Sequence, residues 1–426
     1  MKYDLCVIGL GYIGLPTASI FATRGKKVFG VDVQKNVVDT INKGKIHIVE
    51  PDLDVLVRAA VQSGNLVAGL DPVPADTFII AVPTPFKVTA ENPRTPDLAY
   101  VETAARKIAP HVRAGNLVVL ESTSPVGTTE KVREWILDEW KSLASGSASA
   151  TNSARLSEDW IAKVQFAYCP ERVLPGQILH ELVSNDRIAG GLTPEAATAA
   201  SDLYKCFCNS EIFLTNAATA EMAKLTENSF RDVNIAFANE LSIICDRLKI
   251  NVWELIRLAN RHPRVKILQP GPGVGGHCIA VDPWFIVDSA PKEARLIRTA
   301  REVNDSKPHY VVHKIQDRAE RFKSPVIACL GLAFKADIDD LRESPSVEIV
   351  HDLATKKIGK LLVVEPYVKK LPAALASFEN LQLTDLPGAL AAADIVVVLV
   401  NHREFSRVDR KLLSEKIVID TRGIWS

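Results

Sequence analysis

The chain reads Gly-Pro-Gly-Val-Gly-Gly-His-Cys from Gly271 to Cys278, with Asp282 close behind. Four glycines in that space describe a backbone that bends sharply and comes close to a ligand. A thiol at the end of such a loop is placed for nucleophilic chemistry, the alternative being a structural cysteine. Cys6 and Cys329 are different: they fall inside apolar strand patterns and read as core. His277 adjoins the thiol, but adjacent side chains diverge, so it is a weak candidate for a base or ligand. Upstream, Lys224, Asn228 and Arg231 are spaced i, i+4 and i+7 in a helical pattern and share one face. Such a face lines a site or an interface, or else is a solvated stripe.

The second constellation is Gly9-Leu10-Gly11-Tyr12-Ile13-Gly14, a G-x-G-x-x-G that follows an apolar run and opens a helical pattern. Asp32 closes the next strand-like run. Together these form a dinucleotide fingerprint. Gly9 permits the tight turn, Gly11 lets the backbone approach a pyrophosphate, and Gly14 lets the helix pack closely. The Asp32 carboxylate accepts hydrogen bonds from a ribose diol and repels a 2′-phosphate, so the expected cofactor is NAD.

The elements that must hold these residues alternate short apolar runs with helical patterns, as in a helix-covered parallel sheet. Leu5–Gly9, Lys27–Asp32, Thr77–Pro83 and Leu117–Ser122 read as strands. The low-complexity stretch Ser142–Ser157 is expected to be a flexible insert. Thr215–Leu248 has no Pro or Gly and carries apolar residues nearly all round, so it reads as a long, largely buried helix. From about Phe322 a second α/β pattern begins, with strands at Val326–Gly331, Lys360–Glu365, Asp394–Val400 and Lys416–Asp420. It has no dinucleotide fingerprint.

The 426 residues include 51 basic and 51 acidic side chains, for a net charge of zero, with 47% hydrophobic and 24% charged residues. No global field favours nucleic acid or an anionic membrane. The apolar run Leu5–Ile20 is headed by Asp4 and broken by glycines, unlike a signal peptide, and no later run reaches the ~18 apolar residues of a membrane span. Seven scattered cysteines make a poor disulfide framework. A reducing, cytoplasmic setting is expected. Cys206-x-Cys208 has no second pair nearby, so no metal is expected.

Ordered motifs extend along the chain: VIGLGYIGLP (7–16), AVPTPF (81–86), ESTSPVGTT (121–129), CPERVLPG (169–176), EMAKLTENSFRDVNIAFANEL (221–241), GPGVGGHCIAVDP (271–283) and GLAFKADIDDLRESPS (331–346). With these the chain resembles the UDP-glucose/GDP-mannose dehydrogenase family over essentially its whole length. The resemblance implies an α/β fold of two Rossmann-like doubly wound domains joined by a long central helix. The implied segments are 1–214 for NAD, 215–318 for dimerisation and the Cys loop, and 319–426 for the UDP-sugar. It implies a homodimer built around the helix, and oxidation of C6 of a nucleotide-sugar to a uronic acid with two NAD reduced.

The family's roles carry over by motif. Cys278 becomes the nucleophile that forms a thiohemiacetal and then a thioester. Lys224 and Asn228 stabilise oxyanions, Asp282 and Thr123 position water and protons, and Glu171 does acid–base work, a role suited to a raised pKa. NAD falls to Tyr12, Ile13, Asp32, Thr84 and Thr123, with Arg342 from the second domain. The nucleotide-sugar falls to Arg172, Val173, Arg231, Gly275, Phe334 and Lys335, together with His262 and with Arg264 from the partner subunit.

Two departures from the UDP-glucose pattern narrow the substrate. Val281 stands where those enzymes carry a lysine before the aspartate, and the loop reads Pro-Glu-Arg-Val (170–173) in place of Pro-Glu-Phe. With IHIVEP (46–51) and RHPR (261–264), these resemble the bacterial UDP-N-acetylhexosamine branch. The implied substrate is UDP-N-acetyl-D-mannosamine, for envelope polysaccharide, with the gluco and galacto epimers as alternatives. A one-step hydroxyacid dehydrogenase would need no thiol, and a non-catalytic NAD- or UDP-sugar-binding regulator would not need Lys224, Asn228, Cys278 and Asp282 together.

Overall fold

The computed structural model describes residues 2–87, 94–145, 158–174, 176–276 and 278–426. It divides into two compact units, Met1–Thr226 and Glu227–Ser426.

In the first unit the strands are β1 (Tyr3–Ile8), β2 (Val28–Val31), β3 (Leu66–Gly69), β4 (Ala75–Ile80), the short pair β5 (Phe86–Lys87) and β6 (Thr95–Pro96), β7 (Leu117–Leu120), β8 (Gln165–Tyr168), β9 (Arg187–Gly191) and β10 (Ile212–Asn216). Eight of them form one sheet in the order β10-β9-β8-β7-β4-β1-β2-β3. Its run β3-β2-β1-β4-β7-β8 is parallel and doubly wound, and its order reverses between β1 and β4, the crevice where such sheets bind ligands. β1 shows why the runs are apolar throughout. Leu5 and Val7 pack into one core and Cys6 and Ile8 into another, on the opposite face of the sheet.

The four strands expected here are β1, β2, β4 and β7. β9 pairs antiparallel to β8, and its sequence Arg-Ile-Ala-Gly-Gly has neither alternation nor a β-branched run to announce it. Ser142–Ser157 needs a correction: the helix Thr128–Ser145 continues into it, so residues 142–145 are helical. Residues 146–157 lie outside the described residues.

The second unit contains a smaller sheet of β11 (Val326–Leu330), β12 (Lys360–Val364), β13 (Leu381–Leu383), β14 (Ile395–Val398) and β15 (Ile417–Asp420), all parallel, in the order β13-β12-β11-β14-β15. It repeats the doubly wound logic, with Ile327 and Cys329 in one core and Ala328 and Leu330 in the other.

The long helix spans Ala217–Leu248. It is not buried all round, as its composition suggested. Phe230, Phe237 and Ile244 are 69%, 52% and 43% exposed, whereas Asp232 and Asn239 are fully buried. The apolar residues divide between faces, and part of the buried face is polar because it receives polar partners from a later helix, Arg295–Ala319.

Candidate functional site

Gly9 has a φ of +93°, and a side chain on it would meet the Ala81 carbonyl oxygen at 2.5 Å. At Gly14 a side chain would run into the Gly9 carbonyl. Both glycines are therefore required by the protein itself. Gly11 is different: nothing lies within 4 Å of where its side chain would be. The helix that follows, Gly14–Thr23, has no side-chain cap and no acid in its first turn, so its amide end suits an anion. Asp32 stands half-buried beside this turn, its Oδ2 accepting from the Leu10 amide at 3.2 Å and its Oδ1 from the Gln34 amide at 2.9 Å. Tyr12 and Ile13 are also half-buried. These residues fit NAD: an open glycine backbone and an uncapped helix end for the phosphates, a carboxylate for the ribose.

The structure also brings Thr84 and Thr123 together, the Thr84 hydroxyl donating to the Thr123 carbonyl at 2.6 Å. The ESTSPVGTT segment that carries Thr123 is pinned by Ser122, which donates to the Val82 carbonyl at 2.7 Å. Glu221, buried at the start of the long helix, accepts from the Gly127 and Thr129 amides and from the Thr129 hydroxyl, at 2.6, 2.8 and 2.6 Å.

In the CPERVLPG segment, Glu171 is buried and its Oε2 accepts from Arg187 at 2.6 Å. Arg187 in turn lies over the rings of Tyr204 and Phe207, 4.6 and 5.2 Å from their centroids. The Tyr204 hydroxyl donates to Glu121 at 2.5 Å. Burial, reinforced by the neighbouring Glu171, pushes the Glu121 carboxyl up to about 7 against the pull of Tyr204 and Arg187. Arg172 donates through its guanidinium to the Asp186 carbonyl at 3.1 Å, and Val173 is half-buried. Glu50, in IHIVEP, accepts from the Gly176 and Ile178 amides at 2.8 Å each. A motif read as a branch signature thus anchors the PERV loop.

In the second unit Cys278 is exposed and its carbonyl accepts from the Val281 and Asp282 amides at 3.1 and 2.8 Å. That turn leads into the helix Asp282–Ser289. Asp282 is buried, and its Oδ2 accepts from the Asn228 side-chain amide at 2.6 Å. An acid in a first helical turn is favourably placed. Lys224, half-buried, stands one turn before Asn228 on the long helix. Arg231, His262 and Arg264 are exposed. His277 lies outside the described residues.

The glycines of the loop lie close against protein. A side chain on Gly273 would meet Pro345 at 2.7 Å, one on Gly275 would meet Pro345 at 2.8 Å and Phe334 at 3.0 Å, and one on Gly276 would meet Phe334 at 3.1 Å. Only backbone is thin enough to lie under Pro345 and the Phe334 ring. Gly275 and Phe334 are thereby brought together, with exposed Lys335 next to them in sequence. Arg342 is held bidentately by Asp340, at 2.9 and 2.6 Å.

The loop after β11 is set by residues not singled out from sequence. Glu365 Oε2 accepts from the Leu332 and Ala333 amides at 2.6 and 3.0 Å. The Asp337 amide donates to His402 Nδ1 at 2.9 Å, so the buried ring carries its hydrogen on Nε2, which donates to Glu365 at 3.2 Å. Burial alone would raise the Glu365 carboxyl, but the His402 bond and the two amides outweigh it and hold the pKa below its ordinary value. Among the described residues no cluster of His, Cys, Asp or Glu could hold a metal, and no helix is long and apolar enough to cross a membrane.

Three models of the UDP-glucose/GDP-mannose dehydrogenase family match the chain: the NAD binding domain over residues 3–208, the central domain over 218–306 and the UDP binding domain over 328–426. An NDP-N-acetyl-D-galactosaminuronic acid dehydrogenase of Ralstonia nicotianae is 59% identical over 422 residues, covering 99% of this chain and 96% of that protein. A UDP-N-acetyl-D-mannosamine dehydrogenase of Campylobacter jejuni is 58% identical, covering 97% of this chain and 98% of that protein. Among solved structures, the UDP-N-acetyl-mannosamine dehydrogenase of Staphylococcus aureus matches at 38% identity with a TM-score of 0.84, covering 100% of this chain and 95% of that one.

Two predictions follow from the first unit's geometry. Asp32→Asn keeps the side chain's shape but weakens its bonds to a ribose diol, so the Kd for NAD rises about tenfold and preference over NADP shrinks; an unchanged NAD/NADP ratio would contradict the assignment. Glu121, with a raised pKa, contributes stability that is full below its ordinary value of 4.5 and lost as the pH rises through about 7. The thermal midpoint of the wild type therefore falls relative to that of Glu121→Gln across this window, and parallel curves would refute it.

Proposed function

The chain belongs to the UDP-glucose/GDP-mannose dehydrogenase family, and we propose that within it the substrate is UDP-N-acetyl-D-mannosamine, oxidised at C6 to the uronic acid. The enzyme is an NAD-dependent nucleotide-sugar dehydrogenase with a Rossmann NAD-binding domain. The observation that carries the chemistry is the exposed thiol of Cys278 on the turn that ends at the Asn228–Asp282 bond. NAD supplies the hydride acceptor for both oxidations, two per sugar.

In the proposed sequence the Cys278 thiolate adds to the C6 aldehyde, forming a C–S bond and a thiohemiacetal. Oxidation of that adduct leaves a thioester on the same sulfur. Water then adds to the thioester, the C–S bond breaks, and the carboxylate leaves with the thiolate restored. The whole conversion consumes one alcohol, two NAD and one water and yields one carboxylate, two NADH and three protons. Asn228 and Lys224 stabilise the oxyanion at each stage, Asp282 and Thr123 position water and protons, and Glu171 exchanges protons.

Nucleotide-sugar contacts fall to Arg172, Val173, Arg231, His262, Gly275, Phe334 and Lys335, and Arg342 completes the NAD shell. In this reading residues 1–214, 215–318 and 319–426 are the NAD, dimerisation and UDP-sugar segments. The setting is cytoplasmic, and the product feeds envelope polysaccharide. The Campylobacter jejuni relative supports the manno epimer. The Ralstonia nicotianae relative gives the galacto epimer a second claim, since a single inverted centre is a small discrimination for a pocket. Homodimerisation is supported by Phe230, Phe237 and Ile244, which repeat at seven-residue spacing along one exposed face of the long helix. Arg264 is then the residue offered to the neighbouring site.

A UDP-sugar panel followed by NADH absorbance decides the substrate, and the manno sugar is expected to give the highest kcat/KM. A higher value for the galacto or gluco epimer would reassign it. Cys278→Ala is expected to lose acid formation by at least ~1000-fold; full turnover to acid by that variant would remove the thiol mechanism. In sedimentation the wild type is expected to be a dimer and Phe237→Glu a monomer, and unaffected association of the variant would place the interface elsewhere.

A further inference from the structure

The loop that carries Cys278 is tied to the long helix by a buried amide relay. The Gly271 amide donates to Asn239 Oδ1 at 2.8 Å, and Asn239 Nδ2 donates to Asn304 Oδ1 at 2.8 Å. Asn304 Nδ2 continues the chain by donating to Asp232 Oδ1 at 2.8 Å. Arg301 donates to the same oxygen at 2.5 Å, and its other arm pairs with Asp305. Asp232, Asn239, Asn304 and Arg301 are each no more than 1% exposed.

Each amide in this relay has one orientation available. Asn239 must turn its oxygen to Gly271, so its nitrogen must face Asn304. Asn304 must then offer oxygen to Asn239 and nitrogen to Asp232, and Arg301 fixes the carboxylate at the end. A flip anywhere would set oxygen against oxygen in a dry interior, at roughly 1–3 kcal/mol for each group left unpaired. Asn228, Asp232 and Asn239 lie at i, i+4 and i+11 on one helix face, so the helix grips the segment at both ends. Asn239 holds its beginning at Gly271 and Asn228 its end at Asp282.

We propose that Asn239 is a positioning residue for the dehydrogenation: through its bond to the Gly271 amide and the relay behind it, it fixes where the Cys278 loop begins and hence where the thiol stands. The proposal rests on the reading of Cys278 as nucleophile. Asn239 touches neither substrate nor cofactor in this account. Its effect passes through the loop alone, so it acts on kcat and leaves NAD affinity intact.

The test is made on the full-length enzyme. Hydrogen exchange at single-residue resolution is expected to find the wild-type Gly271 amide strongly protected while exposed Gln269, two residues earlier, exchanges freely; equal rates at the two would overturn the proposal without any variant. Asn239→Leu is close in size but cannot accept the bond. It is expected to raise exchange across residues 271–281 and lower kcat about 10–100-fold with KM for NAD within about twofold. Asn239→Asp keeps the acceptor for Gly271 and, while its buried carboxyl is protonated, a donor for Asn304 Oδ1. It is therefore expected to recover part of the lost kcat at the acid end of the pH profile and to lose it as that carboxyl ionises. A folded Asn239→Leu enzyme with wild-type exchange and kcat would also overturn the proposal. If Cys278→Ala retained full acid formation, the nucleophile reading would fall, while Gly271 exchange would still report on the relay.

Discussion

The loop from Gly271 to Gly276 has almost no side chains with which to hold itself, and the second unit is arranged around that deficiency. A glycine chain loses more conformational freedom on ordering than any other. Everything that orders it must come from outside. Asn239 holds the first amide, Pro345 and Phe334 cover Gly273, Gly275 and Gly276, and Asn228 secures Asp282 just past the thiol. The loop gains a thickness of one backbone, which lets Phe334 lie against it. The same residues that order the cysteine's loop therefore place a ring proposed to meet the sugar nucleotide.

The two doubly wound sheets show how one architecture is put to two uses. In both, a strand is followed at once by glycine, and an acid just after the neighbouring strand accepts from the amide that follows the glycine: Asp32 from Leu10, Glu365 from Leu332. Asp32 remains half-exposed at an open turn beside an uncapped helix, which suits a ribose and phosphates. Glu365 is buried, and its Oε2 is committed to two amides and His402. The second sheet buries within its own loop the carboxylate that the first leaves half-exposed at an open turn.

The residues legible in the sequence were those whose reason is local. The glycine fingerprint and Asp32 are neighbours through one strand and one helix, and β1, β2, β4 and β7 are apolar because both their faces are covered. What escaped depended on distant partners. Asp232 and Asn239 look like ordinary polar helix residues until Arg301 and Asn304 arrive from another helix, and no periodicity announces Arg187 beside Glu171. The long helix was misread for the same reason. Its composition could not show that polar groups would be buried and Phe230 and Phe237 left outside. The loop glycines read as a backbone that approaches something closely, and nothing local in the sequence shows that Phe334 and Pro345 lie against them.

The central claim is that one sulfur carries the sugar between two oxidations. Rapid acid quenching of the enzyme during turnover with NAD and UDP-N-acetyl-D-mannosamine, followed by peptide mass analysis, tests it directly. The account predicts a transient acyl adduct of the nucleotide-sugar on Cys278 that forms and decays at rates compatible with turnover. Turnover to the uronic acid with Cys278 unmodified at every time point, or with the adduct on another residue, would contradict it.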